Sequence, residues 1–323
     1  MICFIAGGAG FIGSHLVTRL LITECVERVV IFDNLSSGTL SHLNTVINHP
    51  KVKFIQGDIK NENLLYNSML GCDTVFHLAA NPDISKAATM PEVDFWEGNY
   101  LTLNILQAMK KCKAKNIIFT SGSGVYGEKP GFFFEESYGP CFPVSPYGAA
   151  KASSEFLISA YCHMFDMNGL SFRFANVVGP SQTHGVGFDF INKLKTDSSK
   201  LLILGDGKQS KSYIHIEDIL DAVLMVVDKK LENTKYDVFN ISTDDYISVD
   251  DIARLSCEVL GLNMKNVSFN YTGGDRGWNG DVPSIRFNTD KIKSIGWSCR
   301  YSSTVAIKMS LQSMAFDMID KSP

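Results

Sequence analysis

The segment Gly7-Gly8-Ala9-Gly10-Phe11-Ile12-Gly13 constrains this chain more than any other. It follows the short apolar run Cys3-Phe4-Ile5 and leads into an apolar pattern at Phe11, Ile12, Leu16 and Leu20, so it reads as strand, tight turn and helix. Glycine permits the turn and the close approach of a pyrophosphate, and the helix N-terminus offers free amides and a positive dipole. A glycine turn that merely joins strand to helix is the plainer alternative. Asp33 decides between them: it closes a second apolar run, Val29-Val30-Ile31-Phe32, 20 residues beyond Gly13. A carboxylate there accepts the ribose hydroxyls of a dinucleotide and repels the 2′-phosphate of the phosphorylated form, which points to NAD. Asn34, Ser36, Ser37 and Gly38 follow at the ribose end. Asp58, with Ile59, ends a third run and reads either as a ligand for the adenine amino group or as a helix N-cap.

Short β-rich runs alternate with segments of helical length through the first half: Cys3-Phe4-Ile5, Val29–Phe32, Val52–Ile55, Thr74–His77 and Asn116–Phe119. That alternation predicts a parallel sheet covered on both faces. Further strands are expected near Leu170–Phe174, Leu201–Leu204 and Tyr236–Ile241, and helices near 216–229, 248–260 and 303–318. With 323 residues and 45% hydrophobic content, the chain exceeds what one core usually supports. The expected class is α/β, a Rossmann doubly wound parallel sheet with a smaller α/β substrate lobe. No linker separates two halves, so the lobes should interleave: residues 1–175 plus a return segment near 212–245 for the dinucleotide, and the remainder of 176–323 for the substrate.

A net charge of −4 gives no electrostatic footprint for nucleic acid or an anionic membrane surface. No basic n-region with an apolar stretch opens the chain, and no apolar run approaches the roughly 20 residues that span a bilayer. A cytoplasmic location is therefore expected. Eight scattered cysteines form no Cys-x-x-Cys pair and have no clustered histidines, so no metal site is expected.

The chemistry is expected at Thr120-Ser121-Gly122-Ser123-Gly124-Val125-Tyr126-Gly127 and at Ser145-Pro146-Tyr147-Gly148-Ala149-Ala150-Lys151. On a helix, Tyr147 and Lys151 share a face. A nearby ammonium favours phenolate, which should lower the Tyr147 pKa toward working pH for general acid/base catalysis.

These motifs, in order with Gly7, Gly10, Gly13, Asp33, His77-Leu78-Ala79-Ala80 and Asn99, resemble the extended short-chain dehydrogenase/reductase family over almost the whole chain. In the second half, Arg173 to Pro180, Gly205 to Tyr213 and Asp275 to Asp281 resemble the sugar-nucleotide segments of its UDP-galactose 4-epimerases, particularly the archaeal type. The resemblance implies tightly bound NAD and a UDP-sugar oxidised and re-reduced at C4. It implies Tyr147 as acid/base, and Lys151 as its partner and as a ligand of the nicotinamide ribose. Leu78, Ala79, Ala80, Asn99 and Phe174 join the cofactor set. Asn176, Val186, Leu204, Lys211, Tyr213, Arg276 and Asp281 form the nucleotide-sugar set, with Lys211 and Arg276 neutralising phosphate.

The chain departs from the family at two places. Lys211 replaces the usual Arg, a point charge in place of a bidentate fork. Gly122 stands where family members carry Ser or Thr as a hydroxyl relay, leaving Ser121 or Ser123, a water, or Tyr147 acting directly; direct action is favoured. The two carboxyls that the family's 4,6-dehydratases use are replaced by Ser123 and Gly124, so elimination lacks its acid and base. Epimerisation is the best fit; a nucleotide-sugar reductase, an epimerase for N-acetyl or uronic acid sugars, and a silent NAD-binding regulator are the alternatives. Ile285 matches a position whose bulk governs entry of an N-acetyl group. His184 and His215 are candidate ligand contacts. His15 and His77 are expected only to pack, and Phe132-Phe133-Phe134 to anchor a loop. The family pairs helices like those near 95–112 and 147–165 into a four-helix bundle, so a homodimer is expected through Leu101, Ile105, Leu106, Met109, Phe156, Leu157, Ala160, Tyr161 and Met164, unless one subunit buries them.

Overall fold

The structure, a computed structural model, describes residues 1–317. Seven parallel strands form the central sheet: β1 (Ile2–Ala6), β2 (Arg28–Asp33), β3 (Val52–Gln56), β4 (Thr74–His77), β5 (Asn116–Gly122), β6 (Asn168–Phe174) and β7 (Tyr236–Ile241), in the order β7-β6-β5-β4-β1-β2-β3. Each is parallel to its neighbours, with Ile5 beside Ile31 and Phe4 beside Val75 in the central register. The expected Rossmann class is observed. The chain steps outward from β1 to β3 and then crosses back to β4, so a crevice opens beyond the carboxyl ends of β1 and β4.

Strand residues alternate between two apolar layers, which is why both faces read as hydrophobic. Cys3, Ile5, Val29 and Ile31 face α1 (Phe11–Leu21) and the helix Ile216–Lys230 through Leu16, Leu20, Ile219 and Val223. Phe4, Ala6, Val30 and Phe32 face Leu65, Leu101, Ile105 and Ile158 of the helices Glu62–Met69, Tyr100–Cys112 and Pro146–Met164. A third core joins Phe190, Ile191, Leu201, Ile252, Cys257, Ile307 and Leu311 of the later chain. It is built from the helices Val186–Thr196, Val249–Val259 and Ser303–Asp317 around the short parallel pair Lys200–Ile203 and Ser268–Tyr271. Met318, the last residue of the helix expected near 303–318, lies outside the described residues.

β7 returns from beyond the first stretch of the later chain to pair with β6 at the sheet edge. The helix Ile216–Lys230 likewise covers the sheet, so the chain passes between the two regions more than once. The expected helix near 95–112 begins as a π-helical turn, Phe95–Asn99, before Tyr100–Cys112. Phe134 is buried and anchors its loop, whereas Phe133 is exposed.

Candidate active site

The glycine turn is obligatory in this backbone. Gly7 has φ +84°, and a Cβ there would stand 2.7 Å from the Ala79 nitrogen. A Cβ on Gly13 would lie 2.3 Å from the Gly7 carbonyl oxygen and 2.7 Å from Gly8 Cα. Gly10 caps α1 with no side-chain bond, leaving the helix N-terminus without a side-chain anion. Asp33, at the end of β2, accepts from Ala9 N (2.9 Å) and Leu35 N (2.8 Å), so it also braces the turn. Asp58 accepts from Asn34 Nδ2 at 3.1 Å and from Lys60 N at 2.8 Å. The cap of the following helix is Asn61, which corrects the N-cap reading of Asp58.

One cleft of about 740 Å³ runs from this turn across the sheet to the later segments. It gathers Gly7, Gly10, Phe11, Ile12, Gly13, Asp33, Asn34, Ser36, Ser37, Gly38, Asp58, Ile59, Leu78, Ala79, Ala80 and Phe174 with Ser121, Ser123, Tyr147 and Lys151. Asn176, Val186, Leu204, Lys211, Tyr213 and Asp281 line its other end. A glycine cradle that tolerates no Cβ, an open helix end and an acid at the ribose position fit a dinucleotide.

Two expected members are elsewhere. Asn99 turns its amide to the helix Pro146–Met164, donating to Ser153 Oγ (2.6 Å) and Ala150 O (3.3 Å), and is absent from the lining. The guanidinium of Arg276 is engaged by Asp275 and, across the loop, by Glu128 at 3.3 Å. Lys211 lines the cleft but is paired with Asp281. His184 is part of the lining and His215 is not; His215 is buried and accepts from Glu217 N as a helix cap. His77 is buried against Thr102, and burial holds its imidazole neutral, with a pKa of about 3.

The helix Pro146–Met164 starts where its sequence says it should: Ser145 accepts from Gly148 N at 3.1 Å and Pro146 follows in the first turn. One turn on, Lys151 Nζ donates to Thr120 O at 2.7 Å and lies 5.6 Å from the centre of the Tyr147 ring. Burial pushes the Tyr147 phenol up to about 12, with the Asp94 carboxylate adding to the rise. This is opposite to the lowering expected from the neighbouring cation: desolvation governs the phenol, and burial also drops the pKa of the Lys151 ammonium to about 8 against the pull of Glu155 and Asp94.

Behind the pair is a buried ionic layer that spacing alone did not reveal. Glu155, one turn beyond Lys151, holds Arg173 of β6 through Arg173 Nη2 to Glu155 Oε2 at 2.6 Å and Nε to Oε1 at 3.0 Å. Ser121 Oγ donates to the same carboxylate at 2.5 Å, so this hydroxyl is committed and is not free as the donor envisaged for the reacting sugar. Ser123 remains in the lining with Gly122 and Gly124. At Gly122 an added Cβ meets nothing nearer than Phe174 O at 4.0 Å. The wall loop Asn81–Ser85 also lines the cleft and was not anticipated, only its Asn-Pro-Asp turn signal after β4 hinting at a built loop; Ser145, Trp278 and Gly280 line it too, from segments expected at the site but not singled out there.

The fold and cleft thus define a nicotinamide-dinucleotide protein of Rossmann type with a Tyr–Lys pair. The chain belongs to the NAD dependent epimerase/dehydratase family, whose profile matches residues 3–242, and its cofactor is NAD. A Methanocaldococcus jannaschii relative, whose name carries UDP-glucose 4-epimerase as a provisional assignment, is 31% identical over 91% of this chain and 92% of its own. A UDP-galactose 4-epimerase crystal structure superposes with TM-score 0.85 at 34% identity, covering 98% of this chain and 100% of that one. The UDP-glucuronic acid 4-epimerase of Bacillus cereus, in complex with UDP-glucuronic acid and NAD, superposes with TM-score 0.87 at 26% identity over 98% and 99% of the two chains. No described helix is long and apolar enough to cross a membrane.

Proposed function

We propose that this protein is an NAD-dependent UDP-hexose 4-epimerase interconverting UDP-glucose and UDP-galactose. The observation that carries the reading is that Tyr147 and Lys151 line one cleft with both the glycine turn and the later segments, with Ser123 and Gly124 supplying no carboxyl for elimination. When bound, NAD supplies a reversible acceptor for the sugar's C4 hydride. As phenolate, Tyr147 takes the proton of the 4-hydroxyl, and as phenol it returns that proton to the 4-oxygen of the opposite epimer. Its pKa near 12 keeps the phenol protonated in the NAD-free protein. Lys151, fixed by Thr120 O, holds the nicotinamide ribose and stabilises phenolate. With Ser121 tied to Glu155, Tyr147 reaches the sugar oxygen itself, and Ser123 is the remaining hydroxyl beside it.

The glycine turn, Asp33, Asn34, Ser36, Ser37, Gly38, Asp58 and Ile59 hold the adenosine and pyrophosphate. Asn176, Val186, Leu204, Lys211, Tyr213 and Asp281 hold the UDP portion. Residues 1–175 with the return segment 212–245 form the NAD lobe, and the rest of 176–317 forms the nucleotide-sugar lobe; residues 318–323, expected in that lobe, lie outside the described residues. Arg276 reaches phosphate only by leaving Glu128. Uronic acid is the runner-up sugar, on the likeness to the Bacillus cereus enzyme; against it, the cleft's two lysines are already engaged by Thr120 O and Asp281.

The subunits pair as a homodimer through the outer faces of the π turn and the catalytic helix. Phe95, Trp96, Phe156 and Met164 are exposed there. Leu101, Ile105, Leu106 and Met109, also expected in that interface, are instead buried within the subunit against the sheet. The deciding experiment incubates the protein with UDP-galactose and no added NAD, following the anomeric and H4 proton signals. Appearance of UDP-glucose supports the reading, whereas conversion only of uronic or N-acetyl sugars, or none, overturns it.

A further inference from the structure

Among the described residues, Asp94 Oδ2 is the only buried carboxylate oxygen with no hydrogen-bond partner. Asp94 is 2% exposed, and its other oxygen accepts from Asn81 Nδ2 at 2.9 Å. Asn81 also bonds both backbone groups of Asp83, so it is the knot of the loop Asn81–Ser85 that forms one wall of the cleft. Immediately after Asp94 comes the π turn Phe95–Asn99, and Asn99 bonds the catalytic helix on either side of Lys151, at Ala150 O and Ser153 Oγ. Asp94 therefore links the wall loop to the helix that carries Tyr147 and Lys151. π turns of this kind recur at functional sites.

The charge needs a separate explanation. A buried carboxylate oxygen without a partner destabilises a fold. An amide at position 94 could accept from Asn81 equally well; its NH2 would take the place of the unpartnered oxygen, but no charge would be held away from water. Stability alone would thus favour Asn, and the negative charge is what stability does not account for. The titratable groups coupled to Asp94 by charge are Tyr147 and Lys151 from the helix that Asn99 bonds, and Asp83 from the wall loop that Asn81 ties.

We propose that Asp94 is a positioning residue for the Tyr147–Lys151 pair: it clamps the cleft wall through Asn81 and supplies a fixed negative charge to the helix face bearing both side chains. This rests on the role given above to Tyr147 and Lys151. The charge helps keep Lys151 an ammonium although buried, and it opposes premature ionisation of Tyr147, in line with the upward push that Asp94 exerts on both.

The test compares wild type, Asp94→Asn and Asn81→Ala, each as purified, by melting temperature and by the pH dependence of kcat and KM for UDP-hexose interconversion. Asp94→Asn should melt no lower than wild type and should move the acidic limb of kcat down by about half a pH unit or more. Asn81→Ala keeps the charge and loosens the wall, so KM should rise while the limb stays. Coincident profiles for wild type and Asp94→Asn, or a lowered melting temperature as its only effect, overturn the electrostatic role; an unchanged KM in Asn81→Ala overturns the clamp. A readout independent of turnover is the phenolate absorbance of Tyr147, taken as the difference from a Tyr147→Phe protein with and without the Asp94 change. A downward shift upholds the inference even if no UDP-hexose is converted, in which case the proposed function alone fails; no shift overturns the inference while activity stands. Asp94→Ser replaces Asp94→Asn in both measurements should the latter not fold.

Discussion

Replacing Lys151 with Met should make the NAD-free protein more stable while stopping catalysis. Lys151 is 6% exposed, and burial lowers its ammonium from 10.5 to about 8. At neutral pH that shift amounts to about 3 kcal/mol against the charged form in the folded state. Met has a similar length and no charge to desolvate; losing the bond to Thr120 O returns about 1 kcal/mol of the gain. The net expectation is about 2 kcal/mol of stabilisation. Its signature lies in the pH dependence. Between about 8 and 10.5 the unfolded chain holds a proton that folded Lys151 has released, so wild-type stability rises with pH across that window, and the penalty is full below it. The Met variant lacks that rise. Urea denaturation of both proteins at neutral pH and within the window measures each term. A Met variant less stable than wild type at neutral pH, or equal slopes through the window, refutes the reasoning. Saturating NAD should reverse the ranking, because a ligand that Lys151 helps to hold adds stability only to wild type.

Tyr147→Phe should lower kcat by about 10²-fold to 10⁴-fold with NAD still bound, as expected for loss of a general acid/base and checked by the NMR assay. Glu155→Gln leaves Arg173 buried without its counter-charge and should destabilise by about 3 to 5 kcal/mol, seen as a large fall in melting temperature; Glu155→Leu combined with Arg173→Met should recover most of it. Gly13→Ala, whose Cβ would be driven into the Gly7 carbonyl, should weaken NAD binding about tenfold or more, an effect of about 1.4 kcal/mol or above by calorimetry. Gly122→Ala, in extended backbone at φ −160° with open space around it, should leave the melting temperature unchanged.

Most of the sheet was legible because its evidence is local. Alternating apolar runs mark strands buried on both faces, and the glycine turn with Asp33 fixes which end of the sheet binds, since only that end combines a cradle with an acid. Residues expected at these strand ends therefore line one cleft together. Asn99 and Arg276 lie outside the cleft lining for a common reason. Each lies in a segment near the site, but where a side chain points depends on partners distant in sequence: Ser153 and Ala150 for Asn99, Glu128 for Arg276. The short elements between Asn176 and Arg286 were likewise faint, being strands of two to four residues whose pairing is decided by tertiary contact.

The Tyr147–Lys151 pair shows where such reading reaches its physical end. Four-residue spacing guarantees a shared helix face, and the structure places the two side chains together. It says nothing about the dielectric that face will meet. The same burial that brings the pair to the cleft wall raises the phenol and lowers the ammonium, and the carboxylates that oppose the fall of the ammonium, Glu155 and Asp94, come from one turn further along the helix and from another segment altogether; Asp94 adds to the rise of the phenol. Only Glu155 shares the periodicity of the motif. Asp94 is brought in by a π turn and a wall loop, so the state in which Tyr147 waits for substrate is a property of the assembled cleft and not of the motif that announces it.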